Sequence, residues 1–222
     1  MWLFFGSISR LYAFSDEFSS SLDANKWDVY ENGGEITINA GVLRLYKSGE
    51  SNTFPYVSST DEFDFPVGHK LLIRYRILDP YNYGAGIVFR GSQLANGQTT
   101  ETYHIDTYMH VWPQDQFGNI GILAIRLCGQ EDLDCSRIYK SYKSWEIDDE
   151  WRELVIEHNP LGIYVVYDGD ELLFVSRPIS PMIGNVFFGN PEITPQARNI
   201  FPTIEIDYIR VEPIEIEEGR DK

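Results

Sequence analysis

The tightest constraint on this chain is its rhythm. Short runs rich in Val, Ile, Leu, Tyr and Phe are each closed within about ten residues by Gly, Pro, Asn or Asp, and no helical period lasts three turns. Such runs predict strands at Glu35 to Asn39, Val42 to Tyr46, Lys70 to Leu78, Ala85 to Arg90 and Tyr103 to Trp112. They continue at Gly121 to Leu127, Arg152 to His158, Ile163 to Tyr167, Glu171 to Ser176, Asn185 to Phe188 and Thr203 to Val211. Two tight connections stand out, Asn39-Ala40-Gly41 and Asp168-Gly169-Asp170. Gly beside Asp or Asn supplies the positive φ that a short hairpin turn needs. The one helical hint, Ser21 to Trp27, amounts to a turn or two. Many short strands with tight turns and no intervening helices give an all-β, two-sheet antiparallel sandwich rather than a parallel α/β sheet.

At 222 residues the chain suits one large sandwich, and 43% hydrophobic residues are enough for its core. The expected domain spans residues 14–212. Residues 213–222, with Glu215, Glu217 and Glu218, read as an acidic tail or linker. A formal charge of −16 excludes nucleic acid as a partner, because a phosphate backbone needs a basic surface. No run of about eighteen apolar residues is present, so no membrane-spanning helix is expected. Met1 to Ala13 is short and apolar and ends in a small residue, resembling the tail of a secretory signal peptide; the alternative is an N-terminal edge strand. Cys128 and Cys135, six polar-rich residues apart, predict a disulfide pinning a surface loop, with two free thiols as the alternative. Both features point to a secreted or cell-surface protein.

Several stretches carry a family signal in order. They are Ser15-Asp16-Glu17-Phe18 with Leu22-Asp23 and Trp27, then Gly41-Val42-Leu43-Arg44-Leu45. Trp151 to His158 with Tyr167-Asp168-Gly169 follows, and Ile206-Asp207-Tyr208-Ile209-Arg210-Val211 closes the series. Together they resemble the concanavalin A-like lectin and glucanase superfamily, which holds family-16 glycoside hydrolases, laminin-G-like modules and many lectins. The resemblance covers nearly the whole chain and implies a jelly roll that takes a polysaccharide or glycan on its concave sheet. It also implies one structural Ca²⁺ held by Glu17, the Gly41 carbonyl and Asp207, with Asp16 assisting.

One departure from that family matters. Its enzymes carry Glu-x-Asp-x-x-Glu on one strand, and retaining hydrolysis needs two carboxyl groups about 5–5.5 Å apart. The corresponding run here reads His104-Ile105-Asp106-Thr107-Tyr108-Met109-His110, so only Asp106 matches and both glutamates are missing. Nor is there an Arg-x-Glu-Leu-Arg segment of the alginate-lyase type.

The same run is the best candidate site. Alternation along a strand puts His104, Asp106, Tyr108, His110 and Trp112 on one face and Ile105, Thr107, Met109 and Val111 on the other. Aromatic rings stack on the apolar faces of sugars, and polar groups beside them select orientation. Arg90 and Arg126 extend this face on neighbouring strands, and Arg74 and Arg76 alternate with Ile73 and Tyr75 in the same way, giving an outward cluster of arginines. Outward arginines either bind a charged sugar or pair with neighbouring acids. Three readings follow. The first is an extracellular carbohydrate-binding domain, attached to or assembled with other domains. The second is a hydrolase or lyase in which Asp106 works with His104 or His110. The third is a structural or adhesive surface module. His69 and His158 are expected in turns, and Trp27, Trp145 and Trp151 in packing.

Overall fold

The computed structural model describes residues 14–47, 55–61, 63–78, 85–95, 98–111, 120–128, 139–146, 149–175, 182–189 and 203–215. For 77, 85–146, 167, 170–175 and 182–184 this description covers the backbone alone. Every regular element among them is a strand, and every pairing is antiparallel. Two sheets of eight strands result.

The first sheet runs in the order β14 (Asp170–Val175), β13 (Gly162–Tyr167), β12 (Arg152–Asn159), β7 (His69–Leu78), β16 (Thr203–Pro213), β4 (Val42–Tyr46) and β3 (Glu35–Asn39), with β1 (Ser15–Asp16) added to β16. The second runs β11 (Tyr139–Glu146), β10 (Ile120–Cys128), β9 (Gln98–Val111), β8 (Ala85–Ala95), β15 (Met182–Gly189), β5 (Tyr56–Ser59) and β2 (Trp27–Tyr30), with β6 (Phe63–Phe65) beside β15.

Turn chemistry sets the hairpin registers. Asn39 pairs with Val42 across Ala40 (φ 51) and Gly41 (φ 82), and Tyr167 pairs with Asp170 across Asp168 (φ 49) and Gly169 (φ 83). Two consecutive positive φ values make the two-residue turn whose twist matches the strands it joins. The stretch from Ser21 to Trp27 is a turn in which the Lys26 and Trp27 amides both donate to the Asp23 carbonyl, and β2 begins at once.

The closing strand solves a register problem. Ile204 and Ile206 are buried at even positions, whereas Ile209 and Val211 are buried at odd ones. A strict alternation would bury Tyr208 and Arg210 instead. The pairing shifts between Ile206 and Tyr208, so Asp207 is the extra residue of a bulge that returns the apolar side chains to the core.

The core lies between the sheets and is dominated by Leu43, Leu45, Leu71, Ile73, Ile156, Val165 and Ile206 from the first sheet. Trp27, Val57, Phe65, Val186 and Phe188 come from the second, and Phe18 is wedged at the rim of β1. Phe18, Trp27 and Phe188 form a ring cluster with centroids 5.5–6.4 Å apart, and Phe14 stacks on Phe63 at 4.4 Å. His158, the last residue of the predicted strand and expected at the turn after it, lies within β12 and is fully buried. Its Nδ1 is 2.9 Å from the Phe65 carbonyl, which links the first sheet to β6 of the second. His69, also expected in a turn, opens β7 directly opposite His158. β16 runs through Pro213, and the Ile214 amide donates to the Gly68 carbonyl, so ordered pairing reaches past residue 212. Residues 1–13 and 216–222 lie outside the described residues, as do Cys135 and Trp112. Among the described residues no helix is long and apolar enough to cross a membrane.

Candidate functional site

Residues opposite one another on neighbouring strands share a face of the sheet. Val186 and Phe188 are fully buried. Their rows continue as Phe89–Ile105–Leu127 and Ile87–Thr107–Ile125 across β8, β9 and β10. The rows between them belong to the opposite face. One is Asn185–Arg90–His104–Cys128. The next is Phe187–Val88–Asp106–Arg126–Lys140, and the third is Gly189–Gly86–Tyr108–Ala124–Tyr142. His110 falls in a further row opposite Ile122 and Ser144. Thus Arg90, His104, Asp106, Tyr108, His110 and Arg126 occupy adjoining register positions on three consecutive strands. The predicted partner Trp112 lies outside the described residues, and so does Cys135, the expected disulfide partner of Cys128.

The third row continues onto residues that the sequence pattern did not single out. Gly189 pairs with Tyr56, and Tyr56 with Tyr30. These two phenol rings stack at 4.3 Å with planes 14° apart, and Tyr30 at the sheet edge is 42% exposed. Burial, reinforced by Tyr30 and Asp28, pushes the Tyr56 phenol above its ordinary pKa, so its hydroxyl stays protonated. Gly189 is required where it stands. Its φ is +104, and a Cβ there would lie 2.4 Å from the Pro55 carbonyl oxygen. A floor without side chains at Gly189 and Gly86 therefore separates the Tyr30–Tyr56 stack from Tyr108. The alternation of Trp27-Asp28-Val29-Tyr30 was the available signal; the short Tyr56-Val57-Ser58-Ser59 run hid its strand behind two serines, both buried.

No second carboxylate adjoins Asp106 among the described residues. Along β9 its same-face neighbours are His104 and Tyr108, and across the sheet they are Val88 and Arg126. The diagonal positions hold Arg90, Gly86, Ala124 and Cys128. Among the described residues, register places no second carboxyl-bearing position beside Asp106 of the kind that retaining hydrolysis pairs.

The opposite outer face, that of the first sheet, is a lattice of ion pairs. Glu205, 8% exposed, sits between its strand partners Arg44 and Arg76. The Arg76 Nε donates to Glu205 Oε2 at 2.8 Å, and Arg44 Nε lies 3.9 Å from Oε1. Arg74 Nη1 donates to Asp207 Oδ2 at 2.8 Å, and both Arg74 and Arg76 lie over the Trp151 ring at 5.4 and 4.6 Å. Arg74 and Arg76 are thus structural partners of acids.

The residues that the family resemblance assigns to Ca²⁺ are tied to cations of the protein itself. Arg210 grips the Glu17 carboxylate with two hydrogen bonds of 2.6 and 2.9 Å, which hold Glu17 below the usual carboxylate range. Asp207 carries Arg74, and Asp16 accepts from the Phe18 amide and the Trp27 indole at 2.8 and 2.7 Å. The Glu17 carbonyl lies 3.9 Å from where a Cβ on Gly41 would stand. Among the described residues no group of three or more His, Cys, Asp or Glu is arranged to hold a metal ion. The Glu17–Arg210 pair adds to the backbone pairing of β1 with β16 in fastening the opening segment to the closing strand.

This face makes one pH-dependent contribution. The Tyr208 hydroxyl donates to Glu153 at 2.5 Å under the Arg210 guanidinium. Burial first, then the Glu153 acceptor, push its pKa up to about 12. A value raised on folding stabilises fully below the unfolded value of about 10 and is lost as pH climbs towards the folded one. Denaturant titrations at about pH 9 and pH 11 are expected to show wild type losing about 1 kcal/mol relative to Tyr208→Phe over that interval. An equal loss in both proteins would rule the contact out as the cause.

No family model matches the sequence, and no curated protein matches it. Solved structures do. An endo-acting O-glycanase of the human gut microbiota superposes with a TM-score of 0.58 at 13% identity, covering 91% of this chain and 99% of that one. A glycoside hydrolase family protein from Mycobacterium thermorestibile gives 0.53 at 14% identity, over 90% and 99%. The endo-β-galactosidase from Clostridium perfringens that releases GlcNAcα1-4Gal gives 0.57 at 17% identity, over 90% of this chain and 62% of that one. At such identities the likeness speaks for architecture and not for chemistry. Strand order, antiparallel register and these superpositions together identify the fold as the concanavalin A-like jelly roll.

Proposed function

We propose that this chain is a carbohydrate-binding jelly roll whose ligand lies across the strands of the second sheet, on the face that carries Tyr108. The observation that supports this most directly is the register row Tyr30–Tyr56–Gly189–Gly86–Tyr108–Ala124–Tyr142. Aromatic residues alternate there with residues that have small side chains or none. Flat sugar rings can approach a glycine floor closely and stack on the phenols beside it. His104, Asp106 and His110 supply hydrogen-bonding groups in the adjoining rows. The ligand is a polysaccharide or glycan met outside the cell, in keeping with the signal-like character of residues 1–13. Asp106 without a neighbouring carboxylate favours binding over retaining hydrolysis.

The test is a panel of neutral and acidic polysaccharides measured against wild type and Tyr108→Ala. Saturable binding is expected, weakened about tenfold or more by losing one stacking ring, with the unfolding transition unchanged. Absence of binding across the panel would overturn the proposal. Release of reducing ends that stops in Asp106→Asn would instead establish a hydrolase or lyase. Self-association without glycan binding would indicate an adhesive module.

A further inference from the structure

The charge of the molecule and the charge of this face disagree. The whole chain carries 18 Lys and Arg against 34 Asp and Glu. On the face of β8 to β11 that includes Tyr108, the strand positions hold Arg90, Arg126 and Lys140 against Asp106 and Glu146. Arg126 and Lys140 are direct cross-strand neighbours, and Asp106 follows Arg126 in the same row. Arg90 stands diagonally from Asp106, opposite His104. Three cationic positions thus stand against two acidic ones on this face, in a protein whose acids outnumber its bases almost two to one.

The cationic row runs parallel to the aromatic one. Two residues along each strand separate them, a spacing of about 6.8 Å. A sugar ring seated on the Tyr108 row would turn one edge towards Arg126 and Lys140. On an acidic protein, general repulsion opposes any anionic ligand, so a local excess of cations beside a stacking row selects for one.

We infer that the glycan is anionic, bearing carboxylate or sulfate groups that meet Arg126, Lys140 and Arg90 while its rings stack along the Tyr108 row. This rests on the carbohydrate-binding reading and names the substrate class of that same site. Guanidinium forks match both carboxylate and sulfate oxygens, so the chemistry is shared by uronans and sulfated galactans.

The experiment measures affinity for two matched pairs, polygalacturonate with its methyl ester and a sulfated galactan with its desulfated form. Wild type is expected to bind at least one charged polymer about tenfold or more tightly than its neutral counterpart, with that preference fading at about 0.5 M salt. The charged member that is favoured tells carboxylate from sulfate. Arg126→Gln with Lys140→Gln is expected to erase the preference by weakening the charged polymer far more than its neutral counterpart, whereas Tyr108→Ala weakens both alike. Arg90→Gln serves as the second variant should the double one fail to fold. Equal binding of charged and neutral polymers, still weakened by Tyr108→Ala, overturns the anionic inference and leaves carbohydrate binding standing. A preference that survives both cation variants also overturns it. No binding of either kind overturns both readings.

Discussion

Trp27→Ala is expected to lower the free energy of unfolding by about 4 kcal/mol, the largest loss among single substitutions considered for this protein. The indole is 2% exposed and meets Phe14, Phe18 and Phe188 at 5.5–5.9 Å. Removing it opens a cavity the size of a bicyclic ring in a cluster that joins three separate parts of the chain. It also deprives the Asp16 carboxylate of its 2.7 Å donor in a partly buried setting. Against a typical total of about 5–15 kcal/mol, such a loss leaves a marginal fold. Equilibrium denaturation reads the difference directly. Trp27→Phe, which keeps most of the ring packing and loses the donor, should fall between the two. A Trp27→Ala variant within about 1 kcal/mol of wild type would show that the aromatic cluster does not hold the sandwich closed.

The second large effect concerns Glu205. Arg76→Leu is expected to destabilise by about 2–3 kcal/mol, because it leaves a carboxylate that keeps, among the described residues, the 3.9 Å contact to Arg44. The figure lies below that for a fully buried pair because the Arg76 side chain is 32% exposed and water already shares its charge. The double variant Arg76→Leu with Glu205→Leu should recover most of the loss, since an apolar pair on a strand costs little where a lone charge costs much. Comparison of denaturation midpoints for the wild type, the two single variants and the double variant isolates the coupling. A double-variant loss equal to the sum of the two single losses would count against the pair.

Much of the sandwich could be read from the sequence because alternation and turn chemistry are local signals. The hairpins at Ala40-Gly41 and Asp168-Gly169 were announced by residues that tolerate positive φ, and they formed where expected. Strands were missed where local signals fail. Tyr56 to Ser59 hides two buried serines behind polar letters, and Tyr139 to Glu146 is a polar edge strand that reads like a loop. His158 ends the strand predicted from Arg152, and the Asn159-Pro160 that follows it suggests an exposed turn. Its burial depends on the Phe65 carbonyl, a partner 93 residues away. The candidate site divides along the same line. The row from His104 to His110 was visible as an alternation within one strand. The stacked Tyr30 and Tyr56 were not, because they join that row only through β5, β15 and β8, a relation that sheet order creates. Motif position does not reveal that the Glu17 and Asp207 carboxylates also meet Arg210 and Arg74, contacts that the bulge and the β1–β16 pairing create.

The place of β16 has a consequence for biogenesis. This strand lies in the interior of the first sheet, with β7 on one side and β4 on the other, yet among the described strands it is the last to be synthesised. Until it is available, a ribosome-bound intermediate holds that sheet as two detached ribbons whose inner edges expose unsatisfied amide and carbonyl groups. Its arrival zips both ribbons together and captures β1, whose Ser15 faces Arg210 nearly two hundred residues downstream. Cooperative closure of this sheet is therefore deferred until β16 has been made, and the partly made sheet must be kept from pairing with its neighbours in the meantime.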